Sequence, residues 1–164
     1  MTILEKPFEK VHPKMVAARI ELISQLAKFG QNELARSSDA DQWSALEIAH
    51  HVYISDGLAL EQIQLVQDEE NPEIVAVEEE APHRTRQSTP PATLEAILAG
   101  MAARREEIFE YLNALAPEAW ERPCRHPKWG DLKFYQLVNI LYQHDQLHAH
   151  QLAELKIAIA LTQS

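Results

Sequence analysis

Four long segments of this chain carry apolar residues at helical spacing, and this repeat constrains the fold more than any other feature. The segments predict helices over about residues 13–36, 44–68, 92–115 and 133–161. Glycine is scarce, with 4 in 164 residues, and strand-forming residues do not alternate with polar ones. We therefore expect an all-α protein. Its length suits one domain, residues 1–164, with a buried core.

A long irregular stretch, about residues 69–91, separates the second and third predicted helices. It contains four prolines and the acidic triplet 78–80. A connection of this length is unusual inside a compact domain. In a four-helix bundle it can cross the length of the bundle and leave the second and third helices parallel. A solvated loop is the simpler alternative.

The second helix has a strong start signal. Ser44 followed by Glu47 three residues later predicts a capping box, in which each side chain binds the backbone N–H of the other residue. Trp43 before the cap and Ile48 in the first helical turns predict a hydrophobic staple.

Charge and composition exclude several classes of function. The formal net charge of −10 repels phosphate backbones, so nucleic-acid binding is not expected. No run of 18 apolar residues predicts a membrane span, and the first residues lack the apolar core of a signal peptide. Cys124 is the single cysteine, so no intrachain disulfide can form. These features predict a cytoplasmic protein whose ligand is a small molecule.

The last predicted helix contains two histidines one turn apart. His144 and His148 are about 40° apart on a helical wheel, in the centre of the apolar face, whereas His150 falls on the polar side. Two inward imidazoles can share a metal ion, which would satisfy one nitrogen on each ring. The alternative is a pair of hydrogen-bonded core residues. Asp145 and Glu154 are interpreted as exposed charges.

A third histidine is available in the second helix, but periodicity does not choose between His50 and His51. Glu47, one turn before His51, could orient that ring or act only in the capping box. The remaining histidines are expected at the surface or in loops: His12 exposed at a helix start, His83 solvated in the crossover, and His126 in a loop predicted over residues 122–131. From that loop His126 could reach a site at one end of the bundle, although a loop role is the simpler interpretation. A Cys124–His126 pair is a weak catalytic signal.

Three segments resemble motifs of the DinB-like superfamily, helical-bundle proteins that include proposed metal-dependent hydrolases and thiol-dependent transferases. Residues 43–51 resemble its Trp-Ser-x-x-Glu opening with a histidine eight residues after the tryptophan. Residues 126–132 resemble its His-Pro-x-aromatic-Gly-x-Leu stretch, and residues 144–151 its His-x-x-x-His-x-x-Gln motif. The motifs occur in the family order and the likeness covers most of the chain. One departure is Leu147, where the family often has a further histidine.

The resemblance implies an up-down-down-up bundle with the long crossover between helices 2 and 3. It implies a divalent metal, nickel or zinc, held by His51, His144 and His148, and so chooses His51 over His50. An open metal could serve a hydrolase or a transferase that uses a low-molecular-weight thiol. Four arginines are candidates for anchoring such a thiol by elimination only: Arg104, Arg105, Arg122 and Arg125. A non-catalytic binding or interaction bundle is the alternative function, and a homodimer is compatible with either.

Overall fold

Four long helices make up most of the part of the chain that the computed structural model describes, which is residues 5–39, 42–75 and 93–162. The helices are α1 (Pro7–Leu26), α2 (Ala45–Asp68), α3 (Leu94–Asn113) and α4 (Phe134–Thr162). A short 3-10 helix (Pro117–Glu121) and an antiparallel hairpin of β1 (Pro123–His126) and β2 (Gly130–Lys133) connect α3 to α4.

Side-chain caps fix where α2 and α3 begin. The Ser44 hydroxyl accepts a hydrogen bond from the backbone N–H of Glu47, and the Glu47 carboxylate accepts one from the N–H of Ser44. The predicted capping box is therefore confirmed. Thr93 caps α3 in the same way by accepting from the N–H of Ala96. These bonds satisfy backbone donors that the first helical turn leaves without intrahelical partners.

Two core clusters show the direction of each helix. One cluster joins the end of α1, the start of α2, the start of α3 and the end of α4. The other joins the start of α1, the end of α2, the end of α3 and the start of α4. Helices α2 and α3 therefore run parallel to each other and antiparallel to α1 and α4, in the order up-down-down-up. This agrees with the four-helix bundle expected from the sequence.

The first helix differs from its prediction at both ends, because α1 spans Pro7–Leu26 and not residues 13–36. Pro7 occupies the first helical turn, where its missing N–H has no intrahelical role, so the helix starts there. At the other end, Phe29 and Leu34 remain buried although their backbone forms turns. The apolar periodicity thus continues past the helix, and Leu34 accepts a hydrogen bond from the N–H of Leu46.

The prediction of a loop over residues 122–131 is wrong, because most of this segment forms the β1–β2 hairpin. The prolines and the glycine, which often interrupt regular structure, occupy positions that a hairpin tolerates. Pro123 begins β1, Pro127 lies in the turn, and Gly130 adopts a φ of 73° that favours glycine. The start of the crossover docks on this hairpin, since the backbone of Arg125 bonds the carbonyl of Pro72 and the N–H of Ile74.

The rest of the predicted crossover lies outside the described residues, together with the acidic triplet 78–80 and His83. Within the described chain, no helix combines the length and the apolar character needed to cross a bilayer.

Candidate metal centre

Three histidines converge between α2 and α4. His51 comes from the second turn of α2, and His144 and His148 lie one turn apart on α4. One ring nitrogen from each lies within 4.8 Å of the others. His51 and His148 are 8% and 2% exposed, and His144 is half-buried. The structure thus brings together the three histidines that the family resemblance selects.

A hydrogen bond fixes which nitrogen of His148 faces the other two rings. His148 Nδ1 lies 2.7 Å from Oε1 of Gln151. An amide oxygen can only accept, so Nδ1 is the protonated nitrogen and donates. The lone pair of His148 is therefore on Nε2, which lies 3.1 Å from Nε2 of His144. This is the usual way in which a protein orients an imidazole for metal binding.

The spacing of the three nitrogens fits a transition metal. Zinc binds imidazole nitrogen at about 2.0–2.1 Å, so two ligands of a tetrahedral ion lie roughly 3.4 Å apart. The 3.1 Å between His144 and His148 is close to that separation. His51 contributes a ring nitrogen within 4.8 Å of the other two. Neutral imidazoles are also the donor type that suits zinc and nickel.

Trp43 forms one wall of the centre. Its ring centroid lies 4.5 Å from that of His51 and 6.2 Å from that of His148. Trp43 is also part of the core cluster that contains Ile48, as the predicted staple requires. Trp43, which precedes the N-cap of α2, thus also covers the histidines on this side.

The neighbouring His50 points elsewhere. It is half-buried and stacks on Tyr53, with ring centroids 6.5 Å apart. Burial lowers the pKa of the His50 imidazole. Of the two roles considered for Glu47, the capping-box role is the one that the hydrogen bonds show.

The prediction that Asp145 is an exposed charge is wrong, because Asp145 is 1% exposed. On the helical wheel, the buried residues of α4 centre about 70° from His144, and Asp145 lies at about 100°. His144 is therefore at the edge of the buried face and Asp145 near its middle. Glu154 is exposed as expected and pairs with the exposed His150.

Asp145 belongs to a buried network that takes one charged residue from each helix. Arg19 of α1 and Arg105 of α3 both pair with Asp56 of α2 and Asp145 of α4, at N–O distances of 2.9–3.3 Å. Burial opposes the charge on Arg19, yet the carboxylates of Asp56 and Asp145 raise the pKa of its guanidinium. The sequence signal for this network is weak, because each charge has its partners on other helices.

A pocket of about 310 Å³ opens beside the histidines. His144 contributes to its wall, as do Asp56 and Ser55 of α2. The hairpin closes it with three residues: His126, Lys128 and Trp129. Most of the remaining wall is apolar: Ala59, Ile63, Leu137, Ile140, Leu141 and Leu147.

Three other sequence candidates, His12, Cys124 and His126, do not belong to the cluster of three histidines. His12 was expected to be exposed but is half-buried in α1, where it packs between Phe8 and Phe109. Cys124 is fully buried, and burial raises the pKa of its thiol, which makes it a poor nucleophile. His126 ends β1 and lines the pocket, so of the two roles considered for it, reaching the site is the one that the structure shows.

The four candidate arginines bind other groups and do not line the pocket. Arg104 donates to the carbonyl of Tyr53, and Arg105 belongs to the buried network. Arg122 and Arg125 donate to backbone carbonyls at and after the end of α2. The basic residue that lines the pocket is a lysine, Lys128.

Comparisons with known proteins agree with the fold and the motifs. The family model of the DinB superfamily matches residues 14–152. The chain is 25% identical over 152 residues to the uncharacterized protein YuaE of Bacillus subtilis (strain 168), covering 85% of this chain and 93% of YuaE.

Two solved structures share the fold. YfiT from Bacillus subtilis, described as a probable metal-dependent hydrolase with an unusual four-helix bundle topology, superposes with a TM-score of 0.76 and 15% identity, covering 97% of this chain and 91% of YfiT. TT2238, a four-helix bundle protein, superposes with a TM-score of 0.65 and 17% identity, covering 90% and 98% of the two chains. Since the family model spans most of the sequence, this chain belongs to the DinB superfamily.

Proposed function

We propose that this protein is a metal-dependent hydrolase of small carbonyl compounds. In this proposal His51, His144 and His148 hold one divalent transition metal, zinc or nickel. The observation that carries the proposal is the convergence of three ligand nitrogens within 4.8 Å of one another, beside a pocket that one of the three histidines lines.

The composition of the site supports a catalytic and not a structural metal. Structural zinc sites have four protein ligands, whereas catalytic sites have three and leave a position for water or substrate. Among the described residues, no further histidine, cysteine, aspartate or glutamate joins this cluster. His144 both belongs to the cluster and lines the pocket, so a substrate bound there would lie next to the open position.

A divalent ion held by these residues would supply Lewis-acid chemistry, activating water and polarising a carbonyl oxygen. The protein's own residues would position that chemistry. Gln151 holds the His148 ring with Nε2 inward, and Trp43 excludes water from the buried side. In hydrolysis the bond between the carbonyl carbon and its leaving heteroatom breaks, a bond to the water oxygen forms, and the leaving group takes up a proton. The YfiT description as a probable metal-dependent hydrolase adds support.

The same open position could instead bind a thiol for transfer to an electrophile. The contacts of the arginines weigh against an acidic thiol cofactor, because all four candidates are engaged elsewhere. A bundle that binds the metal without turnover is the other alternative. Activity assays on metal-loaded protein therefore compare ester and amide hydrolysis with thiol addition to an electrophile.

Metal content is the direct test. We expect about one equivalent of zinc or nickel in purified wild-type protein and none in the variants His51→Ala, His144→Ala and His148→Ala. His150→Ala is the matched control, because this exposed histidine lies on the same helix and points away from the cluster. Elemental analysis after reconstitution measures the content. Loss of metal in His150→Ala but not in His148→Ala would overturn the assignment.

Trp43 gives a second readout that does not depend on activity. Its indole lies against His51, and a paramagnetic nickel ion at the cluster should quench its fluorescence. The quenching should saturate at one equivalent and should be much weaker in Trp43→Phe, which retains the three histidines. Equal quenching in wild type and Trp43→Phe would mean that nickel binds elsewhere.

A further inference from the structure

The hairpin residue His126 is held in one tautomer by its own turn. Its Nδ1 accepts hydrogen bonds from the backbone N–H groups of Lys128 and Trp129, at 3.0 and 3.3 Å. A neutral imidazole that accepts at Nδ1 has its proton on Nε2. His126 is therefore built as a donor at Nε2.

His126 belongs to the wall of the pocket beside the histidine cluster. His126 and His144 both line this pocket, and the Trp129 ring packs on the His126 ring with centroids 4.3 Å apart. Nε2 of His126 has no hydrogen-bond partner within the described chain. Such a group on a pocket wall is suited to a ligand that brings an acceptor.

The rest of the pocket selects an apolar ligand. Six aliphatic side chains and the Trp129 ring line it, and its volume of about 310 Å³ is roughly twice that of an apolar cavity that accommodates benzene. The carboxylate that lines the pocket, that of Asp56, is already paired with Arg19 and Arg105. The wall thus combines a large apolar surface with a few polar side chains, among which His126 is held in one tautomer by its own turn.

We propose that this pocket binds the acyl part of an apolar amide or ester, with the Nε2–H of His126 donating a hydrogen bond to the substrate's carbonyl oxygen. This rests on the proposed hydrolase function and specifies its substrate class: carbonyl compounds with a medium-length aliphatic or a monocyclic aromatic acyl group. The hairpin, which the sequence predicts only as a loop, then supplies the specificity of the site.

The test is binding of a stable amide, measured in metal-free and in zinc-loaded protein by NMR. The probes are N-methylhexanamide and, as the short control, N-methylacetamide. The indole N–H of Trp129 reports on the pocket, because Trp129 lines the pocket and is 51% exposed. We expect a saturable shift of that signal, with the longer amide bound at least tenfold more tightly, because each buried methylene contributes about fourfold.

Two variants separate the donor from the apolar wall. In His126→Asn the amide oxygen can still accept from the turn N–H groups, so the hairpin is kept while the Nε2–H is lost. This variant should bind both amides about fivefold more weakly, the usual effect of one neutral hydrogen bond. Leu147→Glu places a charge at the pocket rim, where Leu147 is 57% exposed, and should abolish the preference for the longer amide.

Ile157→Glu is the matched control, an exposed position on the same helix that does not line the pocket, and it should bind both amides like the wild type. Equal affinity for the two amides, or unchanged affinity in both His126→Asn and Leu147→Glu, would overturn the inference. Because binding is also measured without metal, this result is distinct from a failure of the proposed function, which metal content reports.

Discussion

Arg19 on α1 holds the carboxylate of Asp145 on α4 with two hydrogen bonds, Nε to Oδ2 at 3.0 Å and Nη2 to Oδ1 at 3.1 Å. Paired bonds of this kind are both strong and directional. Asp145 follows His144 directly in the sequence, so the pair fixes the rotation of α4 at the point where this helix presents its histidines. Asp56 and Arg105 complete the network from the other two helices.

Removing Asp145 should therefore strongly destabilise the fold. Asp145→Ala leaves two buried guanidinium groups with one carboxylate, and breaking a buried pair in this way costs about 3–5 kcal/mol. Urea unfolding of the metal-free protein measures the loss in the free energy of unfolding. The control is Glu154→Ala on the exposed face of α4, which should change that free energy by no more than about 0.5 kcal/mol.

The double variant Arg19→Met, Asp145→Leu tests whether the pair acts as a unit. It removes one cation and one anion together, so the remaining Arg105–Asp56 pair stays balanced. We expect its destabilisation to be smaller than the sum for the two single variants, as measured in a double-mutant cycle. Strict additivity would show that the two groups do not depend on each other.

Gln151 should control metal affinity without being a ligand. Gln151→Leu removes the acceptor that orients His148, and losses of this type lower metal affinity about 10–100-fold. The stoichiometry should stay at one ion, as titration calorimetry can measure. Gln151→Glu retains an acceptor and should keep most of the affinity, and the exposed Gln146→Leu should behave like the wild type. An unchanged affinity in Gln151→Leu would contradict this role.

At the contact between α2 and α3, we expect the replacement of two glycines by alanine to have different effects on thermal stability. A Cβ at Gly100 would lie 2.6 Å from Cε1 of the Tyr53 ring, which cannot yield without moving the ring. Overpacking of this kind costs about 1–3 kcal/mol, more than the roughly 1 kcal/mol that alanine gains over glycine in a helix. Gly100→Ala should therefore lower the thermal midpoint.

Gly57→Ala is the matched comparison on α2. Its Cβ would meet only the end of the Arg104 side chain, which can swing away at the cost of its bond to the Tyr53 carbonyl. We expect a neutral or slightly raised thermal midpoint. A similar decrease of the thermal midpoint in both variants would mean that the Arg104 side chain is held as rigidly as the Tyr53 ring.

The pH dependence of stability should include a contribution from His126. Burial and the charge of Lys128 lower the pKa of this imidazole in the folded protein. Below the ordinary histidine pKa of about 6.5, the unfolded chain then binds more protons than the folded one, so stability falls as the pH decreases towards the folded pKa. Metal-free wild type should lose more stability between pH 7.5 and pH 5 than His126→Asn. Parallel urea-unfolding profiles would contradict this.

Local sequence signals predicted the features that depend on neighbours along the chain. The capping box is predicted from two residues three positions apart, Ser44 and Glu47, because its hydrogen bonds close within one helical turn. The one-turn spacing of His144 and His148 likewise placed both rings on one side of α4. The choice of His51 over His50 came from the family resemblance, since both positions have similar neighbours in the sequence.

The features that were mispredicted depend on partners far away in the chain. Asp145 is interpreted from the sequence as an exposed charge, yet Arg19, 126 residues earlier, pairs with it inside the bundle. The hairpin was expected to be a loop because its prolines and glycine are breakers in isolation. Backbone bonds from Arg125 to residues 72 and 74 stabilise it in the folded protein.

The sequence by itself determined that four helices form, where α2 begins, and which residue types could bind a metal, because hydrogen bonds and helical periodicity act over a few residues. The tertiary structure decided how α4 is rotated, that His51 meets His144 and His148, and that His126 faces the same pocket. These outcomes required the packing of separate helices, in which buried charges take the orientation that lets them pair.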